Sequence, residues 1–222
     1  MARIVLLRHA HSVANEKNLL AGRTAGIALS KTGKEQAKDL INRLGNIQFD
    51  EVAISPLQRC RETIDPWLDT TGAKSRIFVD DSISEVDYGS WSGKKLAVLS
   101  KNKLWRTVQD SPSRMYFPKG EGIAQMQSRA MKSVHEAVES KSKGAAVIVS
   151  HGDVIKSIVA SALGIHLDEF QRIVIDPASV SILDYSSTKP RVLLLNDTRA
   201  IVTDLLVAPK RSKNLLGGGS GK

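Results

Sequence analysis

Two short runs of the 222-residue chain, "RIVLL" at 3–7 and "AAVIVS" at 145–150, are almost unbroken in apolar, mostly branched side chains. A half-buried strand alternates apolar and polar residues, whereas a continuously apolar one has both faces covered, the situation of a parallel sheet between helices. Parallel neighbours need long crossovers, so each run should lead into a helix. The chain meets that demand. "KEQAKDLINRL" reads as helical to about Leu44, with Thr32 and Glu35 at capping-box spacing. "EVAIS" at 51–55 reads as a second strand. Ser55 and Pro56 fit an N-cap and a first helical position, so "PLQRCRETIDPWLDTTG" should begin as a helix that Pro66 bends or ends.

Further along, "RIFVD" at 76–80 is a short strand and "ISEVDYGSWSG" at 83–93 a loop. Residues 92–122 are weakly patterned and basic, a lid-like insertion, and "IAQMQSRAMKSVHEAVES" after them is helical. "DVIKSIVASALG" is a helix with Asp153 near its cap and Gly164 at its end, and "ASVSILDYS" with "RVLLLND" forms a hairpin at the sheet edge. The alternation predicts an α/β three-layer sandwich with a mostly parallel central sheet. One domain is expected over 1–208, followed by a flexible, basic, Gly-rich tail at 209–222.

Charge narrows the partners. Lys and Arg number 32 against 23 Asp and Glu, a net charge of +9, which favours anions: phosphates or nucleic acid. The three tryptophans, Trp67, Trp91 and Trp105, form no stacking series with basic residues, so a nucleic-acid module is the weaker reading and no nucleic-acid partner is expected. The lone cysteine, Cys60, allows no intrachain disulfide and fits a reducing, cytoplasmic setting. The apolar run that stops at Arg8 is too short to cross a membrane, and no membrane association is expected. Monomer and homodimer both stay open.

In an open parallel sheet, ligands bind beyond the carboxyl ends of the strands. His9 and His151 each follow one of the two apolar runs and can share that crevice, with Arg8 beside His9 and Arg59 early in the helix after the second strand. Two arginines and two histidines make a poor metal site but a good phosphoryl cage, because guanidinium forks match phosphate oxygens. One neutral imidazole can attack phosphorus while the other groups hold the equatorial charge. Glu85 can serve as the acid if burial raises its pKa. His11 suggests a His-x-His metal site, but no Asp, Glu or Cys stands at ligand spacing. Cys60 lacks the arginine six residues on that thiol phosphatases carry; Pro66 is there instead.

Five stretches, in order, resemble the histidine phosphatase superfamily, which includes the cofactor-dependent phosphoglycerate mutases and many small phosphatases: "LLRHAHSVAN", "LSKTGKEQA", "SPLQRCRET", "ISEVDYGSWSG" and "VSHGDVIK". The resemblance covers residues 3 to about 186. It implies a phosphoglycerate mutase-like fold and a metal-independent enzyme without a cofactor, acting on a small-molecule phosphate ester. His9 would become phosphohistidine, Arg8, Arg59 and His151 would hold the transferred phosphate, and Glu85 would donate the proton. Ser12, Asn15, Arg23, Tyr88 and Gly152 are the substrate-binding candidates, the last through its amide at a helix start.

Departures from the pattern separate phosphatase from mutase. Ala10 replaces the usual glycine, which predicts a slightly shifted loop with an intact site. Val86 follows Glu85 where mutases carry Arg, no Asp lies between Gly22 and Leu29, and the longer mutase insertion before His151 is lacking. Phosphate monoester hydrolysis is therefore expected. Phosphomutase activity is the alternative, since "AGRTAG" is similar to an actinobacterial subgroup described as phosphomutases. The basic residues of 92–122 hint at a polyanionic or carboxylated ester.

Overall fold

The computed structural model describes residues 3–71, 75–140 and 144–202. The chain runs β1 (Arg3–Arg8), α1 (Val13–Glu16), α2 (Lys31–Leu44), β2 (Glu51–Ile54), α3 (Gln58–Thr71) and β3 (Arg76–Val79). It continues through α4 (Leu96–Leu99), α5 (Trp105–Asp110), α6 (Ile123–Glu139), β4 (Ala145–Ser150), α7 (Gly152–Leu163), β5 (Val180–Asp184) and β6 (Arg191–Asp197). The strands form one sheet in the order β3-β2-β4-β1-β5-β6. The first four are mutually parallel, and β5 and β6 add the expected antiparallel hairpin at one edge.

Every residue of β4, and all of β1 except Arg8, is buried, as their unbroken apolar sequence requires. Val5, Leu7, Val147 and Val149 face Leu40 and Leu44 of α2 and Ile64 and Trp67 of α3. On the opposite face, Ile4, Leu6 and Ile148 meet Met126 and Ala130 of α6 and Ile155 and Ile158 of α7. Two apolar layers thus sandwich the sheet.

Helix starts and stops differ from the sequence expectations in three places. The cap of α2 is Ser30, whose side chain accepts from the Gly33 amide; Thr32 lies inside the helix. The helix α3 begins at Gln58, because Ser55 continues the strand pairing through its amide to the Val149 carbonyl. Pro66 sits inside α3 without ending it. Proline there withdraws one amide, and burial of Ile64, Trp67 and Leu68, with Trp67 Nε1 donating to the Gly45 carbonyl at 2.8 Å, carries the helix past it. Gly164 closes α7 in the left-handed conformation, φ 66°, that glycine adopts at no steric cost.

Residues 92–122 are not a detached flap. Trp91 stacks on Trp105, with ring centroids 6.3 Å apart, and Phe117 packs edge-on against Trp91 and Tyr88, tying the segment to the α6–α7 layer. Its start pairs with the loop after α1: the Leu20 amide donates to the Lys94 carbonyl and the Leu96 amide to that of Asn18. The expected tail, 209–222, lies outside the described residues.

Candidate active site

Parallel register brings the two histidines together. Arg8 of β1 stands opposite Ser150 of β4, and the His9 amide donates to the Ser150 carbonyl, so each histidine is the first residue past its strand on adjacent strands. Their ring centroids lie 5.2 Å apart at 60°. Both are buried, His9 at 4% exposure and His151 at 0%.

Hydrogen-bond chemistry assigns their tautomers. His9 Nδ1 lies 2.8 Å from the Ala10 carbonyl, which can only accept, so Nδ1 carries the proton and Nε2 offers a lone pair. Arg59 Nε donates to that Nε2 at 3.2 Å, and Arg59 Nη2 donates to His151 Nδ1 at 3.2 Å and to the Gly22 carbonyl at 2.9 Å. His151 Nε2 is then the protonated nitrogen, donating to Ser55 Oγ at 2.7 Å. Burial, followed by the charges of Arg59 and Arg8, holds His9 well below the usual histidine range. For His151 the causes are burial, Arg59 and then His9. Both rings are neutral at pH 7.

The loop holding His9 is gripped from three sides. The Ala10 amide donates to Thr63 Oγ1 at 2.9 Å, the His11 amide to Gln36 Oε1 at 2.8 Å, and His11 Nδ1 meets Ser30 Oγ at 2.8 Å. Gly33 lets α2 approach closely: a Cβ there would stand 1.9 Å from the His11 carbonyl oxygen. The "LSKTGKEQA" stretch thus supports the loop. The Ala10 methyl is fully buried against Leu29, Ala37 and Ala178. His11, directed at Ser30, is turned to structural use, and among the described residues no group of three or more His, Cys, Asp or Glu is placed to hold a metal ion.

Arg8, His9, Ser12, Asn15, Arg59, Glu85, Tyr88 and Gly152 line one pocket of about 210 Å³, with Asp153 and Lys156 further along its wall. Arg8 Nε and Arg59 Nη1 are buried and have no hydrogen-bond partner among the described residues. Such donors suit the oxygens of a bound phosphate. Ser12 and Asn15 bond to each other as a capping box for α1, with Ser12 Oγ donating to Asn15 Oδ1 at 2.8 Å. They line the pocket while serving as a cap.

Glu85 is 9% exposed and its Oε1 accepts from the Val86 amide at 2.9 Å. Burial, then the neighbouring Asp153 charge, pushes it up to about 7 against the opposing pull of Arg59 and Arg8. Arg23 does not reach the pocket wall. Its Nε donates to the Glu85 carbonyl at 2.9 Å and its Nη2 to Glu121 Oε1 at 3.0 Å. Arg129 donates to the same carbonyl at 3.0 Å and forks onto Glu121 at 3.0 and 2.6 Å. Glu121 Oε1 also accepts from the Asp87 amide at 2.8 Å. Two guanidinium groups on one carbonyl, tied by one carboxylate, fix the loop that carries Glu85.

The family model of the histidine phosphatase superfamily (branch 1) matches residues 4–198. The chain belongs to the histidine phosphatase superfamily. It is similar to phosphoserine phosphatase 1 of Hydrogenobacter thermophilus, 29% identical over 89% of this chain and 93% of that one. It is also similar to the 2,3-bisphosphoglycerate-dependent phosphoglycerate mutase of Cytophaga hutchinsonii, 27% identical over 86% and 87%. Among solved structures, mycobacterial glucosyl-3-phosphoglycerate phosphatase superposes with a TM-score of 0.77 at 25% identity, covering 87% of this chain and 98% of that one.

For a histidine phosphatase of this kind, sequence reasoning missed Ser55 as the partner of His151, and Arg129 and Glu121 as the anchors of the acid loop. Ser55 carried a signal, since it sits at the carboxyl end of a strand, but it read as a helix cap. Arg129 and Glu121 gave none, because a helical arginine and a loop carboxylate look like ordinary surface charges. Cys60 lies 3.5 Å from His151 Nε2, and burial pushes its thiol up to about 12, which removes it as a nucleophile. The lysines at 94, 95, 101 and 103 do not line the pocket; residues 92–122 contribute only Leu96 to it.

Proposed function

We propose that the protein hydrolyses small phosphate monoesters through a phosphohistidine at His9 Nε2. The supporting observation is the His9 Nε2 lone pair, directed by the Nδ1–H bond to Ala10, beside two guanidinium groups with buried donors to spare. In the first step the Arg59 Nε–H hydrogen bond passes from His9 Nε2 to a phosphate oxygen, the freed Nε2 lone pair attacks phosphorus, the ester P–O bond breaks, and the leaving oxygen takes the proton of Glu85. In the second, water attacks the phosphohistidine, Glu85 receives its proton, the P–N bond breaks, and phosphate leaves. Arg8, Arg59, His151 and the Gly152 amide hold the non-bridging oxygens as charge builds on them. A Glu85 pKa of about 7 suits a group that donates in one step and accepts in the next.

Phosphomutase activity requires holding a second anionic group of the substrate or primer. Beyond Arg8 and Arg59, the one lysine or arginine among the described residues that lines the pocket is Lys156, already paired with Asp153 Oδ1 at 3.5 Å. That supports hydrolysis over mutase chemistry. The relatives named for phosphoserine and phosphoglycerate support a small ester as substrate. A reducing, cytoplasmic setting belongs to the same proposal and rests on a single cysteine that is buried and free.

The test is phosphate release from a panel of monoesters in EDTA, with His9→Ala as control. Release that tolerates EDTA and disappears in His9→Ala is the expected result. Undiminished turnover by His9→Ala, or isomerisation of phosphoglycerate without net release, overturns the reading.

A further inference from the structure

Resting on the phosphatase reading, we infer that the wall formed by Tyr88 and Asp153 selects the leaving group, accepting monoesters that present an ammonium or hydroxyls there and rejecting those that present a carboxylate. Hydrogen-bond inventory leads to this. The pocket divides into a cage rich in donors, which suits phosphate, and a wall beside Glu85 that is rich in acceptors.

Tyr88 Oη donates its only proton to Asp153 Oδ2 at 2.8 Å, so what it has left to offer a ligand is a lone pair. Burial, then the Asp153 charge, pushes the Tyr88 phenol well above its usual value, which keeps that proton in place. Asp153 is an acceptor on both oxygens, it lines the pocket, and its side chain is 23% exposed. The donor on this side is Lys156, and two of its three protons are directed away from a ligand, to Asp153 Oδ1 at 3.5 Å and Gln171 Oε1 at 3.1 Å. Leu19, Leu20, Leu96 and Ile175 supply apolar lining, and the side chains of Ser12 and Asn15, already bonded to each other, line the pocket as well.

A carboxylate placed against Tyr88 and Asp153 meets lone pairs and a like charge. An ammonium or a hydroxyl meets partners. An unpaired or repelled group discriminates between ligands of equal size as effectively as a new attractive contact. Phosphoserine, which carries both groups, falls between the extremes.

O-phosphoethanolamine and 2-phosphoglycolate share a two-carbon leaving group and differ in ammonium against carboxylate. p-Nitrophenyl phosphate, with neither, serves as internal standard. The wild type is expected to favour phosphoethanolamine in kcat/KM by about 10- to 100-fold, the range of one close charge contact at a partly screened site. Asp153→Asn keeps an acceptor for Tyr88 and removes the charge, so the preference should fall to within about threefold. Using the ratio cancels any common loss through Glu85. Lys156→Met frees Asp153 of its counter-ion and should widen the preference, an opposite sign that tests the same wall should Asp153→Asn fold poorly. Turnover of p-nitrophenyl phosphate with a ratio that neither variant moves overturns the inference alone. Absence of any His9-dependent turnover overturns the phosphatase reading instead.

Discussion

Replacing Glu85 with Gln should make the protein more stable above neutral pH while impairing it as an enzyme. Burial and the Asp153 charge raise the Glu85 pKa from its ordinary 4.5 to about 7. Below pH 4.5 the carboxyl is protonated in both the folded and the unfolded chain, and its ionisation contributes nothing to stability. Between 4.5 and 7 the unfolded chain gives up the proton and the folded one keeps it, so wild-type stability falls by about 1.4 kcal/mol per pH unit. Above 7 both states are ionised and the deficit stays at about 3 kcal/mol. Gln does not titrate. The stability of Glu85→Gln relative to wild type should therefore climb by about 3 kcal/mol from pH 4.5 to 8 and then level off. His9 and His151, neutral in both folded proteins, cancel from the difference. Urea unfolding of the two proteins at half-unit steps of pH measures it, in buffers free of phosphate, which would stabilise the fold through the cage. A difference that stays flat within about 1 kcal/mol means that Glu85 is already ionised in the fold at low pH. In that case it cannot be the proton donor at pH 7.

Two further outcomes are expected. Arg129→Ala removes one of the two guanidinium groups that Glu121 and the Glu85 carbonyl share and leaves Arg23 alone to hold them; it should destabilise the fold by about 2 kcal/mol in urea unfolding, and should slow alkyl esters more than nitrophenyl esters, because a displaced Glu85 protonates poor leaving groups badly. Loss of equal size for both ester classes would contradict that role. His151 Nδ1 accepts from Arg59 in the free protein and must carry a proton to donate to a phosphate oxygen, so vanadate binding should take up a proton. Calorimetry of Glu85→Gln in buffers of different ionisation heat detects this, and a buffer-independent heat at pH 7 would contradict it.

The sheet and the meeting of Arg8, His9, Arg59 and His151 were legible because their signals are local and physical. "RIVLL" and "AAVIVS" can be buried on both faces only in a parallel sheet, and whatever follows such strands meets at one edge. Helix boundaries were less legible where a residue had two plausible employers. Ser55 reads as a cap until His151 is seen to need a partner for its protonated nitrogen, and Pro66 reads as a stop until the apolar stripe of α3 is seen to bury Trp67 beyond it. Arg23 stands where a ligand contact is expected, and the bonds it makes here go to the backbone of the Glu85 loop and to Glu121. Its partners, Arg129 and Glu121, are nearly a hundred or more positions away, and nothing in the sequence of either side announces the meeting. The basic residues of 92–122 carried a compositional hint about substrate, and composition does not say which way a side chain faces.

The pairing of Arg8 with Ser150 across β1 and β4 has a consequence for how such a chain can change. What separates His9 from His151 is the spacing of two hydrogen-bonded strands, about 4.8 Å, and not the length of chain that connects them. Lengthening the stretch between the strands costs only the slow logarithmic growth of loop-closure entropy, roughly 0.6 kcal/mol per doubling. A slip of a single residue within either strand exchanges the side chains that pack on α2 and α3 with those that pack on α6 and α7, and parts the two imidazoles. New leaving-group pockets can therefore be grown from the middle of the chain while the phosphoryl-transfer machinery stays in register.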